Sequence, residues 1–427
     1  MPCVGIHLQK RCTSFPPQLE YRTNVQTLIF CFFLHFKNYW QMITSTVSPV
    51  LKFGLRFLGI WPDASVYSNV YWFSFMISIL MVQYFQYLYI FQHLKISELS
   101  NLIDCLIVTL DYSLTVFKLI GLWIQRRVFH QILADMDNDW RECINTEHLS
   151  VMTIKANISH FICNALFGIN TFIGALYLLG DYVIHFVLLT EDYNVTLRQL
   201  PIKLQLPFET QRSPIFELLI IAIFVQVMLH VCTFCTLNGL ILTLVLHVSG
   251  QIDIMCHELK NVSKNALFHE STLSLFQVQI ERHKKIISFS KNIESLFSFF
   301  AFMQVFWNTL VICCLGFIII FSIHNKTGTF VLIKTSSGYF VAMTEAFIIC
   351  FAGEYLSMKG KLIANAIYEM MWYDMLSSQS KIIIFIIMRC QKRLTITAGK
   401  MMDMSFETFT SIIKASASYI SVLNAMY

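Results

Sequence analysis

Apolar residues along this chain fall into long, nearly unbroken runs separated by charged segments. Seven runs are long enough to cross about 30 Å of hydrocarbon as helix. They cover Ala64 to Leu94, Leu102 to Trp123, Ala156 to Gly180, Leu218 to Ile252, Ser295 to Ile323, Gly338 to Gly353 and Ser405 to Tyr427. Span two carries Asp104, Asp111 and Lys118, and span six carries Glu345. The fourth run, at 35 residues, would make a helix of about 52 Å, well beyond the hydrocarbon. Helical patterning continues past the spans, in "LSLFQVQIERHKKIISFSKNIESLFSFF" before span five and in "LIANAIYEMMWYDML" after span six. These extensions predict a helical bundle outside the membrane or amphipathic helices lying on its inner face, with Tyr368 and Trp372 on one helical side. The apolar "IIIFIIM" (382–388) is too short to span and reads as a buried helix or strand.

Composition sharpens the class. Of 427 residues, 56% are hydrophobic and 13% charged, with a mean hydropathy of +0.59. Soluble domains carry about 25% charged residues, so an all-α, polytopic membrane protein is predicted. With seven spans, 23 Lys and Arg fall on the N-terminal side and 6 on the other. The positive-inside rule therefore predicts a cytoplasmic N-terminus and an extracellular C-terminus. Asn194 and Asn325, in N-x-S/T triplets, fall in loops assigned outside and are candidate glycosylation sites. The net charge of +5 reads as loop bias, not as a nucleic-acid footprint. The ten-residue run "TLIFCFFLHF" (27–36) reads either as a stray hydrophobic patch or as part of an extension, residues 1–41, upstream of a start at Met42.

The expected organisation follows. Residues 1–63 form a cytoplasmic N-terminal segment, 64–252 spans one to four, and 253–294 a cytoplasmic loop with anchor helices. Spans five and six occupy 295–353, a cytoplasmic anchor segment 354–404, and span seven 405–427. No internal repeat, metal motif, nucleophile elbow, phosphate loop or potassium-type filter is present, so no enzyme and no cofactor are expected.

The last span mixes Ile, Phe, Tyr and Leu with five serines and two threonines. On a helical wheel Thr408, Ser411, Ala415, Ser418, Val422 and Ala425 share one narrow face, while Phe406, Phe409, Ile413, Ile420 and Leu423 gather on another. Small and hydroxylated faces either let helices approach closely or line a water path around an axis, where Val422 would be a hydrophobic constriction. The wheel alone leaves both open.

The tail "KASASYISVLNAMY" resembles the insect odorant receptor family. So do "LKFGLRFLGIWP" (51–62), "LPFE" (206–209), "GEYL" (353–356), "AIYEMMW" (366–372) and "MRCQKRLTITAG" (388–399), in order along the chain. The resemblance implies an odorant-gated, non-selective cation channel of four subunits, in which a tuned subunit joins an obligate co-receptor in the plasma membrane of olfactory neuron dendrites. It implies that the last helix lines the pore, with the gate at Val422 and neighbouring positions at Ser418, Ala425 and Met426; Ser411 and Ala415 extend the same face. The cytoplasmic bundle would hold the subunits together. Residues 253–294 lack the long insertion of the co-receptor, which implies a tuned subunit.

The family's pocket lies in the outer half of the membrane, among spans two, three, four and six. By depth the candidate odorant contacts are Asp111, Tyr112, Thr171, Tyr177, Phe224, Met228, Met343, Thr344 and Phe347. Asp111 is the notable one, because a charge inside a membrane calls for a partner, whether a ligand, a water or a neighbouring helix. A gustatory receptor-type channel and a G-protein-coupled receptor are the alternatives. The first is disfavoured by the tail, the second by the inverted topology and the lack of DRY and NPxxY.

Overall fold

The computed structural model describes residues 45–426, apart from 63–65, 94–98, 144, 189–199, 266–271, 325–328 and 371–376. The expectations for residues 1–41, Asn194, Asn325 and Trp372 lie outside the described residues. Helices dominate. In chain order they are α1 (Pro49–Phe57), α2 (Val66–Gln92), α3 (Leu99–Ile124), α4 (Arg126–Glu142), α5 (Thr146–Leu188) and α6 (Ile215–Asn265). There follow α7 (Thr272–His324), α8 (Thr329–Tyr368), α9 (Ser377–Cys390), the strands β1 (Thr397–Ala398) and β2 (Met402–Asp403), and α10 (Phe406–Met426).

Six of the described helices, α2, α3 and α5 to α8, are long and apolar enough to cross a membrane. The seventh predicted span is the 21-residue helix α10. It does not join those six, as its hydroxyls, Glu407 and Lys414 would lead one to expect. The predicted overhangs are present. Helix α7 runs unbroken for 53 residues, about 80 Å at 1.5 Å per residue; neither proline nor glycine interrupts it before Gly316.

The overhangs of α5 to α8 gather at one end of the bundle, here the lower end, with α1, α4, α9 and the β-hairpin. Between the second and third predicted spans lie α4 and the first turns of α5. Helix α4 is amphipathic and buries Phe129, Ile132, Leu133, Met136 and Trp140 along one stripe. Helix α1 opens with Ser48, whose hydroxyl accepts from the Leu51 amide at 3.1 Å, and with Pro49 in the first turn. It then buries Leu51 and Leu55 against α6.

Polar pairs complete this end. Trp140 Nε1 donates to Thr46 Oγ1 at 2.9 Å, Thr46 Oγ1 lies 3.0 Å from His247 Nδ1, and His247 Nε2 lies 3.0 Å from Asp139. Lys155 and Lys359 both reach Asp253, at 2.9 and 2.6 Å.

The hairpin leads into α10. Thr397 pairs with Asp403 and Ala398 with Met402, around Gly399 and Lys400 in the left-handed region. Thr397 donates to Glu294 at 3.0 Å, and the Gly399 amide to Ser298 O at 2.9 Å. Gly353 of α8 lies so close to the exit of this hairpin that a Cβ there would sit 2.2 Å from Met404 O.

Candidate functional site

A cavity of about 510 Å³ opens among α3, α5, α6, α7 and α8 in the upper half, with residues 200–203 across it. Most of its wall is apolar, including Ile107, Ile173, Val231, Phe234, Val311 and Leu315. Of the predicted contacts, Asp111, Tyr112 and Tyr177 line it.

The other six lie off the lining. Thr171 is exposed on the outside of α5. Phe224 and Met228 pack in a small cluster around Leu178 and Ile202. Met343 packs against Ile312 and Ala346, and the Thr344 hydroxyl donates to Phe340 O at 2.8 Å. Phe347 points toward α10, with its ring centroid 6.1 Å from Phe406 and 5.6 Å from Phe409.

The predicted wall of four spans gains a fifth, since α7 supplies Trp307 and Asn308. Residue depth was readable from the sequence, but the rotation of each apolar helix about its axis was not.

Charged residues converge below the cavity. Asp111 Oδ2 accepts from His230 Nε2 at 2.8 Å. The His230 ring stacks on Tyr112 with centroids 4.3 Å apart and planes 10° from parallel. Lys118 pairs with Glu345, both almost fully buried. The Glu345 backbone carbonyl also accepts from Gln304 Nε2 at 3.1 Å. Four helices, α3, α6, α7 and α8, are thus joined through polar groups within the bundle. His230 and Glu345 had not been singled out as partners. Histidine carries no formal charge, so span four reads as uncharged, and the pairing of Lys118 with a lone glutamate on span six crosses 227 positions of sequence. Near the mouth, Lys334 Nζ lies 4.2 Å from the Tyr177 ring centroid. Among the described residues no group of three or more His, Cys, Asp or Glu side chains could hold a metal ion.

Helix α10 packs on α7 and α8 by one side only. Ile412 and Ser416 are buried there, and the Ser416 hydroxyl lies 3.2 Å from Thr309 O and 2.9 Å from Ile412 O. Ser411, Ser418, Val422 and Ala425 are exposed, and Ala415 is half-buried. Val422 is 56% exposed. The serine hydroxyls at 411 and 418 donate back to Glu407 O and Lys414 O, at 2.9 and 3.0 Å. Met426 closes the helix. The predicted small-residue face is thus a side of α10 that this chain leaves uncovered.

Comparison with known proteins adds four findings. Residues 98–417 match the family described as 7tm Odorant receptor. Odorant receptor 13a of Drosophila melanogaster is 24% identical over 357 residues, covering 77% of this chain and 82% of that protein. Odorant receptor 10 of Aedes albopictus is 24% identical over 234 residues, covering 54% and 61%. The solved insect olfactory receptor OR5 from Machilis hrabei in complex with eugenol superposes with a TM-score of 0.74 at 14% identity, covering 92% of this chain and 100% of that one. At that identity the superposition speaks for the fold alone.

Proposed function

This chain belongs to the 7tm odorant receptor family, and from that premise we propose that it is the odorant-tuned subunit of an odorant-gated, non-selective cation channel. It is a multi-pass membrane receptor and not an enzyme. In the proposed reading it works with an obligate co-receptor in a heterotetramer, in the plasma membrane of olfactory neuron dendrites. Its N-terminus is cytoplasmic, its C-terminus extracellular, and the lower end of the bundle is the cytoplasmic anchor. The bias of Lys and Arg toward that side supports this orientation.

One observation carries the ligand-binding part, the cavity of about 510 Å³ with its apolar wall and few convergent polar groups. Its size falls within the roughly 300–1,000 Å³ typical of small-molecule sites. The solved relative in complex with eugenol shares this fold. The pore part rests on α10. Its uncovered face carries Ser411, Ala415, Ser418, Val422 and Ala425, and Met426 continues the same proposed pore lining. Several such helices around an axis would present hydroxyls to water and a ring of Val422 as a barrier that opens by wetting. Neither the gustatory nor the G-protein-coupled alternative gains support from the family match.

The test is whole-cell current in cells expressing the chain with and without a co-receptor, under an odorant panel. A current that needs both chains, with ion selectivity altered by Val422→Ala or Ser418→Ala, is the expected result. A response that survives without the co-receptor and depends on G-protein signalling refutes the reading.

A further inference from the structure

The cavity contains an acceptor with no donor assigned to it. The Asp111 side chain lines the cavity and is 40% accessible, whereas its partner His230 is 8% accessible. Only Oδ2 is engaged, by His230 Nε2. Asp111 Oδ1 has no hydrogen-bond partner among the described residues.

The histidine occupies one of the two carboxylate oxygens. To donate to Asp111, His230 must carry its proton on Nε2. Its other nitrogen, Nδ1, is buried and without a partner. As a carboxylate, Asp111 offers Oδ1 to the cavity as an acceptor. The other carboxylate at this depth, Glu345, is already bound to Lys118. Asp111 is thus the carboxyl group in the cavity floor whose hydrogen-bonding capacity the protein leaves half used.

We propose that the cavity selects small apolar molecules bearing a hydroxyl, either alcohols or phenols, which donate to Asp111 Oδ1. The inference rests on the cavity being the odorant site. A hydroxyl gives Oδ1 its missing donor, and the hydrocarbon body meets the apolar wall of Ile107, Ile173, Val231 and Val311. Ethers, ketones and aldehydes of the same skeleton carry no such donor and leave Oδ1 unpaired. Carboxylic acids enter as anions and meet Asp111 with like charge. A site built around a donor discriminates strongly against the analogue lacking it, because the buried acceptor then stays bare.

The experiment uses the full chain, co-expressed with a co-receptor for current and purified alone for ligand-induced thermal shift. The panel is a set of small alcohols and phenols, such as octanol and cresol, each beside its methyl ether, with octanal, octanoic acid and octylamine added. The alcohol is expected to act at a concentration about tenfold or more below its ether. That ratio should shrink toward parity in Asp111→Asn. The wild-type ratio needs no variant, so it stands even if Asp111→Asn fails to fold. Ethers, ketones or the amine acting as well as the alcohols, in either assay, overturns the hydroxyl assignment and leaves the receptor reading standing. No current and no thermal shift from any member overturns both.

Discussion

Removing Glu345 while keeping Lys118 isolates the energetics of the buried charges. The two side chains are 5% and 7% accessible, so neither has solvent to fall back on. Truncating one partner of such a pair costs about 3–5 kcal/mol, because the remaining charge stays buried without compensation. At about 1.4 kcal/mol per decade, even the lower figure is more than a hundredfold in the folded population. Replacing both by apolar residues of similar volume is about neutral or stabilising, since the desolvation of two ions disappears with them. Glu345→Leu and Lys118→Met should therefore each lower the temperature at which the detergent-solubilised receptor loses its monodisperse gel-filtration peak. The double variant should recover most of the loss. Gln304 bonds the backbone of residue 345 and not its carboxylate, so that contact survives all three variants. A double variant as unstable as either single one, or singles that melt with the wild type, would refute the argument.

Three further outcomes follow from the lower half of the molecule. Gly353→Ala places a Cβ 2.2 Å from the Met404 carbonyl oxygen, a backbone atom that cannot turn aside. Overpacking of this kind costs about 1–3 kcal/mol, and a loss of surface expression on immunoblot of labelled cells would show it. Burial pushes the Cys390 thiol up to about 11, with Arg389 opposing. Its alkylation at neutral pH should then be about a hundredfold slower than that of the unfolded chain, as only the thiolate reacts; mass spectrometry after timed iodoacetamide exposure checks it. Burial and then the nearby Asp139 raise the Asp135 carboxyl above its ordinary value of 3.8, against a smaller pull from Lys285. Ionising Asp135 is therefore unfavourable in the fold, a penalty absent below 3.8 and complete above the raised value. Asp135→Asn should raise melting temperature at neutral pH, with a gain that shrinks on acidification.

The long apolar runs made six spans legible, because nothing but a membrane rewards so much apolar length. The overhang of α7 was legible for the same reason, through a helical pattern without a breaker. Helix α4 is less legible, although its pattern is in the sequence. Phe129, Ile132, Leu133, Met136 and Trp140 repeat at three and four, but hydropathy averages them with Arg126, Arg127, Asp135 and Asp137. The cavity was legible in depth and not in direction. Asp111, Tyr112 and Tyr177 reach it, while Phe347, on span six at a similar depth, faces α10. A helix apolar on every side gives the sequence no means of saying which side looks inward. The partners of Asp111 and Lys118 stayed hidden because pairing across helices depends on packing that no local spacing records.

Helix α8 holds Glu345 in the cavity floor and, two positions later, sets Phe347 against Phe406 and Phe409 of α10. Two positions are about 200° around a helix, so the two jobs fall on nearly opposite sides of one rod. Substitution on one flank of α8 can then reshape the cavity and leave intact the flank that packs on α10. If the proposed function holds, a repertoire of receptors diversifies by drift on the cavity side alone, and each new specificity inherits the same seat for α10.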